Sequence, residues 1–295
     1  MNYVRGLSIA ILLTFLAVGC ASVRTRPNKD LSESSVGKEV FDKVDVGGRR
    51  LYVDCLGSGT PTVILDAGFG DSSSLWRETQ KQVQAFARVC RFDRANLGES
   101  DPAPKPRTSQ QMVDDLHSFL RKTEIPGPFV LVGHSIAGFN VRLYASQYPN
   151  EILGVVLVDS SHPDQASALL ALLPKPSECE DATIQGVREE CNRWIQSKAV
   201  GEEGMNIVAS SAQVRAPGSL GDIPLVVLTA TDHGLTGELG RNFEKTWLSF
   251  QNDLALLSSR SKHVIVTGGH YIQVEHPEAV ADAVKQVIDM SRPKQ

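Results

Sequence analysis

The chain has 295 residues, of which 41% are hydrophobic and 22% are charged, and its formal net charge is -4. A chain of this length and composition can bury one large core. It has no basic patch of the kind that nucleic-acid binding requires, so we exclude nucleic acid as a partner.

The N-terminal segment has the layout of an export signal. One positive charge, Arg5, precedes an apolar run from Leu7 to Val18, which is too short for a membrane span of roughly 20 residues. Small residues and Cys20 follow, so we expect residues 1–19 to be a signal peptide. Residues 20–37 are mostly polar with little to bury, and we interpret them as a flexible tether.

The end of this signal, Ala17-Val18-Gly19-Cys20, resembles a bacterial lipobox, in which the cysteine is lipidated and becomes the new N-terminus. Leucine is more usual at the position of Ala17. The resemblance implies an exported lipoprotein that a lipid on Cys20 anchors to a bacterial cell membrane, on its periplasmic or extracellular face. A cleaved secreted protein and an uncleaved anchor are the alternatives.

Strands and helices alternate along the domain that we assign to residues 38–295. After a first hairpin, the predicted strands are continuous apolar runs, which is typical of a parallel sheet that helices cover on both faces. In chain order, the predicted elements are a hairpin at Phe41–Val46 and Arg50–Leu56, a strand at Thr62–Asp66, a helix at Ser74–Phe86, a strand at Ala87–Phe92, a helix from Thr108 to Lys122, a strand at Pro128–Val132, a helix at Phe139–Ala145, strands at Gly154–Val158, Pro224–Thr229 and Val264–Thr267, and a closing helix at Glu278–Met290.

A long insertion separates two of these strands. It spans about residues 163–220 and contains helical segments around Ala166–Leu173 and Val187–Ala199. Long insertions between core elements are usually functional, so we expect a helical lid over a site.

The segment from Gly133 to Gly138 lies between a predicted strand and a predicted helix, with Ser135 near its centre. A serine on a sharp strand-to-helix turn has its hydroxyl pushed out of the chain, near the positive N-terminal end of the new helix. Small neighbours are needed because a bulky side chain would clash inside the turn. The pattern predicts a nucleophilic serine, although Ala137 stands where the strict G-x-S-x-G form has glycine.

This turn and three further segments resemble the α/β-hydrolase superfamily over about residues 40–290. The further segments are Asp93–Ser100, which is similar to the D-x-x-G-x-G-x-S pattern after the fourth strand, Leu157–Asp164, and Gly269–Glu278. The resemblance implies an α/β fold with a mostly parallel eight-stranded sheet, helices on both faces and a lid insertion. It also implies an esterase-like or lipase-like hydrolase with a serine nucleophile.

A serine hydroxyl needs a base beside it and an acid that orients the base. The α/β-hydrolase order along the chain is serine, acid, histidine, and His270 follows the last predicted strand, so we expect it to be the base. Asp232, after the strand Pro224–Thr229, has the family's usual acid position and is the preferred acid. Asp159 ends the preceding strand and is the alternative, because some family members place the acid there.

The family resemblance also implies an oxyanion hole with two preset donors. We expect the backbone N–H of Ile136, which follows the nucleophile, and that of Phe69, in the glycine-rich loop after the third strand. Asp66-Ala67-Gly68 stands where His-Gly is frequent, but a backbone donor does not depend on that side chain. No metal-ligand cluster is visible at the required spacing, so we expect neither a metal nor an organic cofactor.

Four cysteines follow the lipobox, an even number in an oxidising compartment. In the implied fold, Cys55 on the second strand and Cys90 on the fourth are neighbours in the sheet. Cys179 and Cys191 both lie in the insertion. The resemblance therefore implies the pairs Cys55–Cys90 and Cys179–Cys191, and four free thiols are the alternative.

The sequence as a whole predicts a serine hydrolase that cleaves a carboxylic ester of a small or medium-sized substrate through an acyl-enzyme. A peptidase or C–C bond hydrolase with the same triad, and a non-catalytic ligand-binding protein of the same fold, are the alternatives. The expected partners are a small-molecule substrate and a membrane that holds the lipid anchor. The physiological substrate and the oligomeric state do not follow from the sequence.

Overall fold

A computed structural model describes residues 40–175, 177 and 182–292. It contains an eight-stranded sheet with the order β1-β2-β4-β3-β5-β6-β7-β8. The strands are β1 Val40–Asp45, β2 Arg50–Leu56, β3 Thr62–Asp66, β4 Arg88–Phe92, β5 Phe129–His134, β6 Ile152–Val158, β7 Leu225–Asp232 and β8 Ser261–Gly269. β2 pairs antiparallel with β1 and β4, and the other neighbours pair parallel. The expected mostly parallel sheet is confirmed.

Helices cover both faces of this sheet. They are α1 Arg77–Val83, α2 Ser109–Lys122, α3 Ala137–Gln147, α4 Gln165–Leu172, α5 Ala182–Gln196, α6 Ile207–Arg215, α7 Gly237–Ala255, α8 Ile272–Glu275 and α9 Pro277–Ser291. α2 begins where the sequence predicts, because the Thr108 side chain accepts the N–H of Gln111 in a capping box. Along the described chain, none of the helices combines the length and apolar character that a bilayer-spanning segment needs.

Alternate residues of the strands supply two separate apolar cores. In β3, Val63 and Leu65 pack on one face, with Trp76 and the apolar side of α9. Ile64 packs on the opposite face, with residues of α2 and α3. Both faces of the central strands are therefore buried, which explains why these strands lack a polar alternation.

α4, α5 and α6 lie in the insertion between β6 and β7, and we call these three helices, with the segment that joins α5 to α6, the lid. The lid packs on α7 through an apolar cluster that contains Leu169, Val187, Cys191, Phe243 and Trp247. The sequence predicts neither α6 nor α7, so the element that supports the lid is a finding of the structure. Together, the lid and α7 cover the carboxyl ends of the parallel strands.

Candidate active site

Ser135 lies in the turn between β5 and α3 and is half-buried. Its φ of +53° lies in the left-handed region, which costs a non-glycine residue about 1–3 kcal/mol. Its N–H donates to the carbonyl of Val158 (3.1 Å), and its carbonyl accepts the N–H of Ser161 (2.9 Å). Gly133 permits the turn, since a Cβ there would lie 2.8 Å from the carbonyl oxygen of Ala137. These contacts fix the strained serine at the carboxyl end of β5, a central strand of the sheet.

His270 directly follows β8 and is buried. Its Nδ1 lies 2.6 Å from Oδ2 of Asp159, a buried residue that directly follows β6. A carboxylate only accepts, so Nδ1–H donates and Nε2 is left as the proton acceptor of the neutral ring. The backbone of His270 is held as well, because Nε2–H of His134 donates to its carbonyl oxygen at 3.0 Å.

Ser135 and His270 line one cavity with a volume of about 30 Å³. The rest of its wall comes from the lid and α7 and is mostly apolar: Gln165, Ala166, Leu169, Cys191, Trp194, Phe243 and Trp247. Among the described residues, the Ser135 hydroxyl has no hydrogen-bond partner. A cavity of this size leaves little free space between Ser135 and the helices that line it.

Known proteins share this arrangement of strands and helices. Residues 61–205 match the family described as alpha/beta hydrolase fold. An esterase from Thermogutta terrifontis is 20% identical with a TM-score of 0.57, and the match covers 87% of this chain and 100% of that one. The enol-lactonase of Burkholderia xenovorans LB400 is 17% identical with a TM-score of 0.60, covering 84% and 100%. The chain has the α/β-hydrolase fold.

A relative by sequence is the uncharacterized protein YqjL of Bacillus subtilis. It is 26% identical over 237 residues, which is 78% of this chain and 85% of that protein. The family match and the structural neighbours together support the α/β-hydrolase superfamily and a hydrolase. The expected fold class is thereby confirmed.

The structure corrects the preference for Asp232 as the carboxylate that orients His270. Asp232 is the last residue of β7, is exposed, and accepts the N–H of Gly234 on Oδ1 at 2.8 Å. The alternative acid, Asp159, holds His270 instead. The physical reason is the direction of the chain at the end of β7, where His233 rather than Asp232 points into the protein.

The carboxylate of Asp159 receives four donors, and its backbone φ is +42°. Oδ1 accepts the N–H of Ala230 (3.0 Å) and Nε1–H of Trp247 (2.8 Å). Oδ2 accepts His270 and Nε2–H of His233 (2.9 Å). Burial alone would raise the pKa of Asp159, but hydrogen bonds from His233 and His270 and the positive charge of His233 hold it below its usual range. Asp159 is therefore a carboxylate at neutral pH.

Sequence reasoning missed three residues of this network, namely His233, Glu244 and Trp247. The last two lie on α7, which the sequence analysis does not predict. A signal was present, because apolar side chains recur there at helical spacing: Phe243, Trp247, Phe250 and Leu254. No such signal marks His233. Asp232 and His233 are adjacent just after the end of a predicted strand, and the sequence does not show which of the two side chains faces the site.

Phe69 and Ile136 are the residues expected to supply the two oxyanion donors. Among the described residues, the backbone N–H groups of Phe69 and Ile136 have no hydrogen-bond partner. Ile136 follows Ser135 at the start of α3, and the Phe69 ring contacts Trp194 of the lid, with centroids 5.6 Å apart. Both N–H groups are thus available as donors, one on the residue after Ser135 and one on a residue whose ring contacts Trp194 of the cavity wall.

A buried ion cluster holds the loop that contains Phe69. Nη1 of Arg94 lies 2.6 Å from Asp66, and its Nε lies 2.9 Å from Oε2 of Glu203, between α5 and α6. Nη2 of Arg94 donates to the carbonyl of Gly68 (2.7 Å), and Oε1 of Glu203 accepts the N–H of Gly70 (3.1 Å). The residues on both sides of Phe69 are therefore tied to the same cluster, and one of its carboxylates comes from the lid.

The cysteines follow only part of the expectation. Cys55 on β2 is joined to Cys90 on β4 in a disulfide, and the two residues face each other across the antiparallel pair. The expectation that Cys191 is disulfide-bonded is wrong, because it is a free thiol buried in the apolar lid cluster. Burial raises the pKa of Cys191 to about 11. Its expected partner Cys179 and the expected lipidation site Cys20 lie outside the described residues.

Proposed function

We propose that the protein is a serine esterase whose triad is Ser135, His270 and Asp159. The observation that carries the proposal is the cavity that Ser135 shares with His270, together with the hydrogen bond from His270 to Asp159. A serine beside a histidine whose other nitrogen is held by a buried carboxylate suits acyl transfer. An esterase and an enol-lactonase of the same fold support an ester as the bond cleaved.

In the proposed reaction, the Ser135 hydroxyl attacks the ester carbonyl while Nε2 of His270 takes its proton. Asp159 orients the imidazolium that forms and stabilises its charge. The N–H groups of Phe69 and Ile136 donate to the oxyanion. His270 then protonates the leaving alcohol, which leaves the acyl group on Ser135. A water molecule releases the acid, with His270 acting again as the base.

The walls of the cavity favour a small, apolar acyl group. Four of the nine lining residues are leucine, tryptophan or phenylalanine, and the cavity is small, with a volume of about 30 Å³. An acetyl group needs little more room than this, whereas a long acyl chain requires the lid to move away. We therefore expect a rate that falls as the acyl chain lengthens.

Labelling by a fluorophosphonate, combined with hydrolysis of p-nitrophenyl acetate, tests the proposal. We expect the wild-type protein to be labelled and active, and Ser135→Ala to lose the label and about 10⁴-fold or more in kcat. Ser146→Ala is the matched control, because Ser146 lies on α3, the helix that follows Ser135, and, among the described residues, its hydroxyl bonds the carbonyl of Leu143 alone. A folded wild-type protein that takes no label would favour the non-catalytic binding protein instead.

Further assays separate the remaining reactions on the same triad. p-Nitrophenyl esters of increasing chain length should be hydrolysed, and an aminopeptidase substrate should not. Faster cleavage of the amide than of any ester would contradict the esterase and favour the peptidase.

Export as a lipoprotein is also proposed. The disulfide between Cys55 and Cys90 supports it, because disulfides persist in oxidising compartments. Metabolic labelling with palmitate in a bacterial host should mark the wild-type protein and the control Cys191→Ser, but not Cys20→Ser. Equal labelling of Cys20→Ser would contradict the assignment of Cys20.

A further inference from the structure

His233 is a second histidine on the proposed triad acid. It directly follows β7 and is buried, with 1% of its surface exposed. Its Nε2 lies 2.9 Å from Oδ2 of Asp159, the same oxygen that binds His270. Its Nδ1 lies 2.9 Å from Oε2 of Glu244 on α7. The side chains form one chain of hydrogen bonds, from His270 through Asp159 and His233 to Glu244.

The geometry determines the protonation of His233. A carboxylate offers only acceptor oxygens, and a neutral imidazole has one N–H. Both nitrogens of His233 face carboxylate oxygens, so both must donate, and the ring carries a positive charge. Burial alone would lower the pKa of His233, but its bonds to Asp159 and Glu244 and their negative charge raise the pKa to about 9.

The other groups around His233 do not cancel this charge. From the end of β8, His270 faces it with ring centroids 5.9 Å apart. From α7, the rings of Phe243 and Trp247 pack against it at tilted angles, with centroids 5.1 and 4.9 Å away, and add no charge. Asp232, the preceding residue, is exposed and binds the N–H of Gly234.

Two further titratable groups, the Cys191 thiol and the His134 ring, lie near Phe243 and Trp247 or near the proposed triad. The Cys191 thiol of α5 shares the apolar cluster with Phe243 and Trp247, and it is neutral near pH 7 because burial raises its pKa to about 11. The neighbouring His134 is neutral as well, because burial lowers its pKa. The two carboxylates therefore remain the charged partners of His233.

We propose that His233 is a positioning residue which, as an imidazolium, shares the triad acid and keeps His270 a neutral base down to lower pH. This inference rests on the proposed function, in which His270 is the base. Two effects act in the same direction. The positive ring opposes a second positive charge on His270, and its hydrogen bond draws charge away from the Asp159 oxygen that His270 uses.

The pH profile of kcat/KM for p-nitrophenyl acetate tests this role. In His233→Gln, the amide can still donate to Asp159 but carries no charge. We expect the midpoint of the acidic limb to rise by about one pH unit. His276→Gln is the control, since its exposed ring pairs with Glu278, and its midpoint should stay at the wild-type value.

A merely structural role would give a different result. If His233→Gln lowers the rate but leaves the acidic midpoint at the wild-type pH, the inference is overturned. A second measurement covers a variant that fails to fold: ¹H–¹⁵N spectra of the histidine side chains in the wild-type protein. At pH 7 we expect His233 to carry protons on both nitrogens, and a singly protonated ring would also overturn the inference.

Failure of the proposed function would be visible separately. A wild-type protein that takes no fluorophosphonate label and hydrolyses no ester contradicts the esterase, whatever the spectra show. A labelled, active wild-type protein whose His233→Gln variant keeps the midpoint contradicts only the role of His233.

Discussion

Asp159 and Asp232 lie at the carboxyl ends of neighbouring strands, but their surroundings differ in ways that decide which of them can bind a histidine. The Asp159 carboxylate is buried and accepts hydrogen bonds on both oxygens, including the bond from His270. Asp232 is exposed and caps its own turn through Gly234. A buried carboxylate stabilises an imidazolium more strongly than an exposed one, because water does not screen the interaction.

Replacing each aspartate by asparagine separates the two candidates. We expect Asp159→Asn to lower kcat by about 10³–10⁴-fold, because the amide cannot hold the correct tautomer of His270. Asp232→Asn should stay within about twofold of the wild-type rate, since an exposed turn residue contributes little. The measurement is kcat for p-nitrophenyl acetate, with circular dichroism to check the fold. A loss confined to Asp232→Asn would restore the original preference.

At the residue scale, the sequence predicts the positions where geometry follows from local chain direction. Ser135 is such a case, because a strand, a turn of small residues and a helix leave one place for its hydroxyl. The choice of acid is not, because which of Asp232 and His233 faces inward depends on how the end of β7 bends. That bend is set by α7 and by the hydrogen bond from Ala230 to Asp159, which joins residues 71 positions apart.

At the scale of elements, the lid and the loop after β3 are coupled by one side chain. Glu203 lies between α5 and α6 and is fully buried, and its two oxygens bind Arg94 and the N–H of Gly70. Gly70 follows Phe69, whose N–H is a proposed oxyanion donor. The position of this donor therefore depends on how the lid is seated.

Removing the charge of Glu203 tests this coupling. In Glu203→Gln, Arg94 loses one of the two carboxylates that bind it and keeps Asp66, so we expect a stability loss of about 1–3 kcal/mol. We also expect about a tenfold fall in kcat with little change in KM, since loss of a whole oxyanion donor costs about 10²–10³-fold. The readouts are urea unfolding and ester kinetics. The neighbouring exposed Glu202→Gln is the control, and equal kcat in both variants would refute the coupling.

Element by element, the strands were predictable and the lid contacts were not. An apolar run such as Thr62–Asp66 is buried on both faces only in a strand that helices cover on both sides, so its sequence alone predicts a central strand. α7 begins near two glycines and carries many charges, which obscured the helical spacing of its apolar residues. The contact of Arg94 with Glu203 joins positions 109 residues apart, and no local pattern signals it.

For the molecule as a whole, the buried charges couple stability to pH in opposite directions. Burial raises the pKa of Asp71 to about 6. Asp71 therefore contributes to the stability of the folded protein below its unfolded pKa of 3.8, and this contribution is lost as the pH rises through 6. The pKa of Asp159 is lowered, so its contribution is present above 3.8 and is lost as the solution becomes more acidic. His233 adds a third dependence, because its pKa is raised to about 9 from 6.5.

The contribution of His233 should disappear on the alkaline side. Below pH 6.5 the ring is protonated in both the folded and unfolded states, so its stabilisation is fully present. Between pH 6.5 and 9 the unfolded chain releases the proton and the folded protein keeps it, so stability falls with rising pH. A shift from 6.5 to about 9 corresponds to a loss of about 3 kcal/mol.

Urea unfolding of the wild-type protein and His233→Gln between pH 5.5 and 9.5, without reductant, measures this loss. The difference in unfolding free energy between the two proteins isolates His233, because Asp71 and the other titrating groups are common to both. We expect the difference to be largest below pH 6.5 and to shrink by about 3 kcal/mol towards pH 9.5. A difference that stays constant over this range would mean that His233 binds no extra proton in the folded protein, which would also remove the positive charge on which its role beside Asp159 depends.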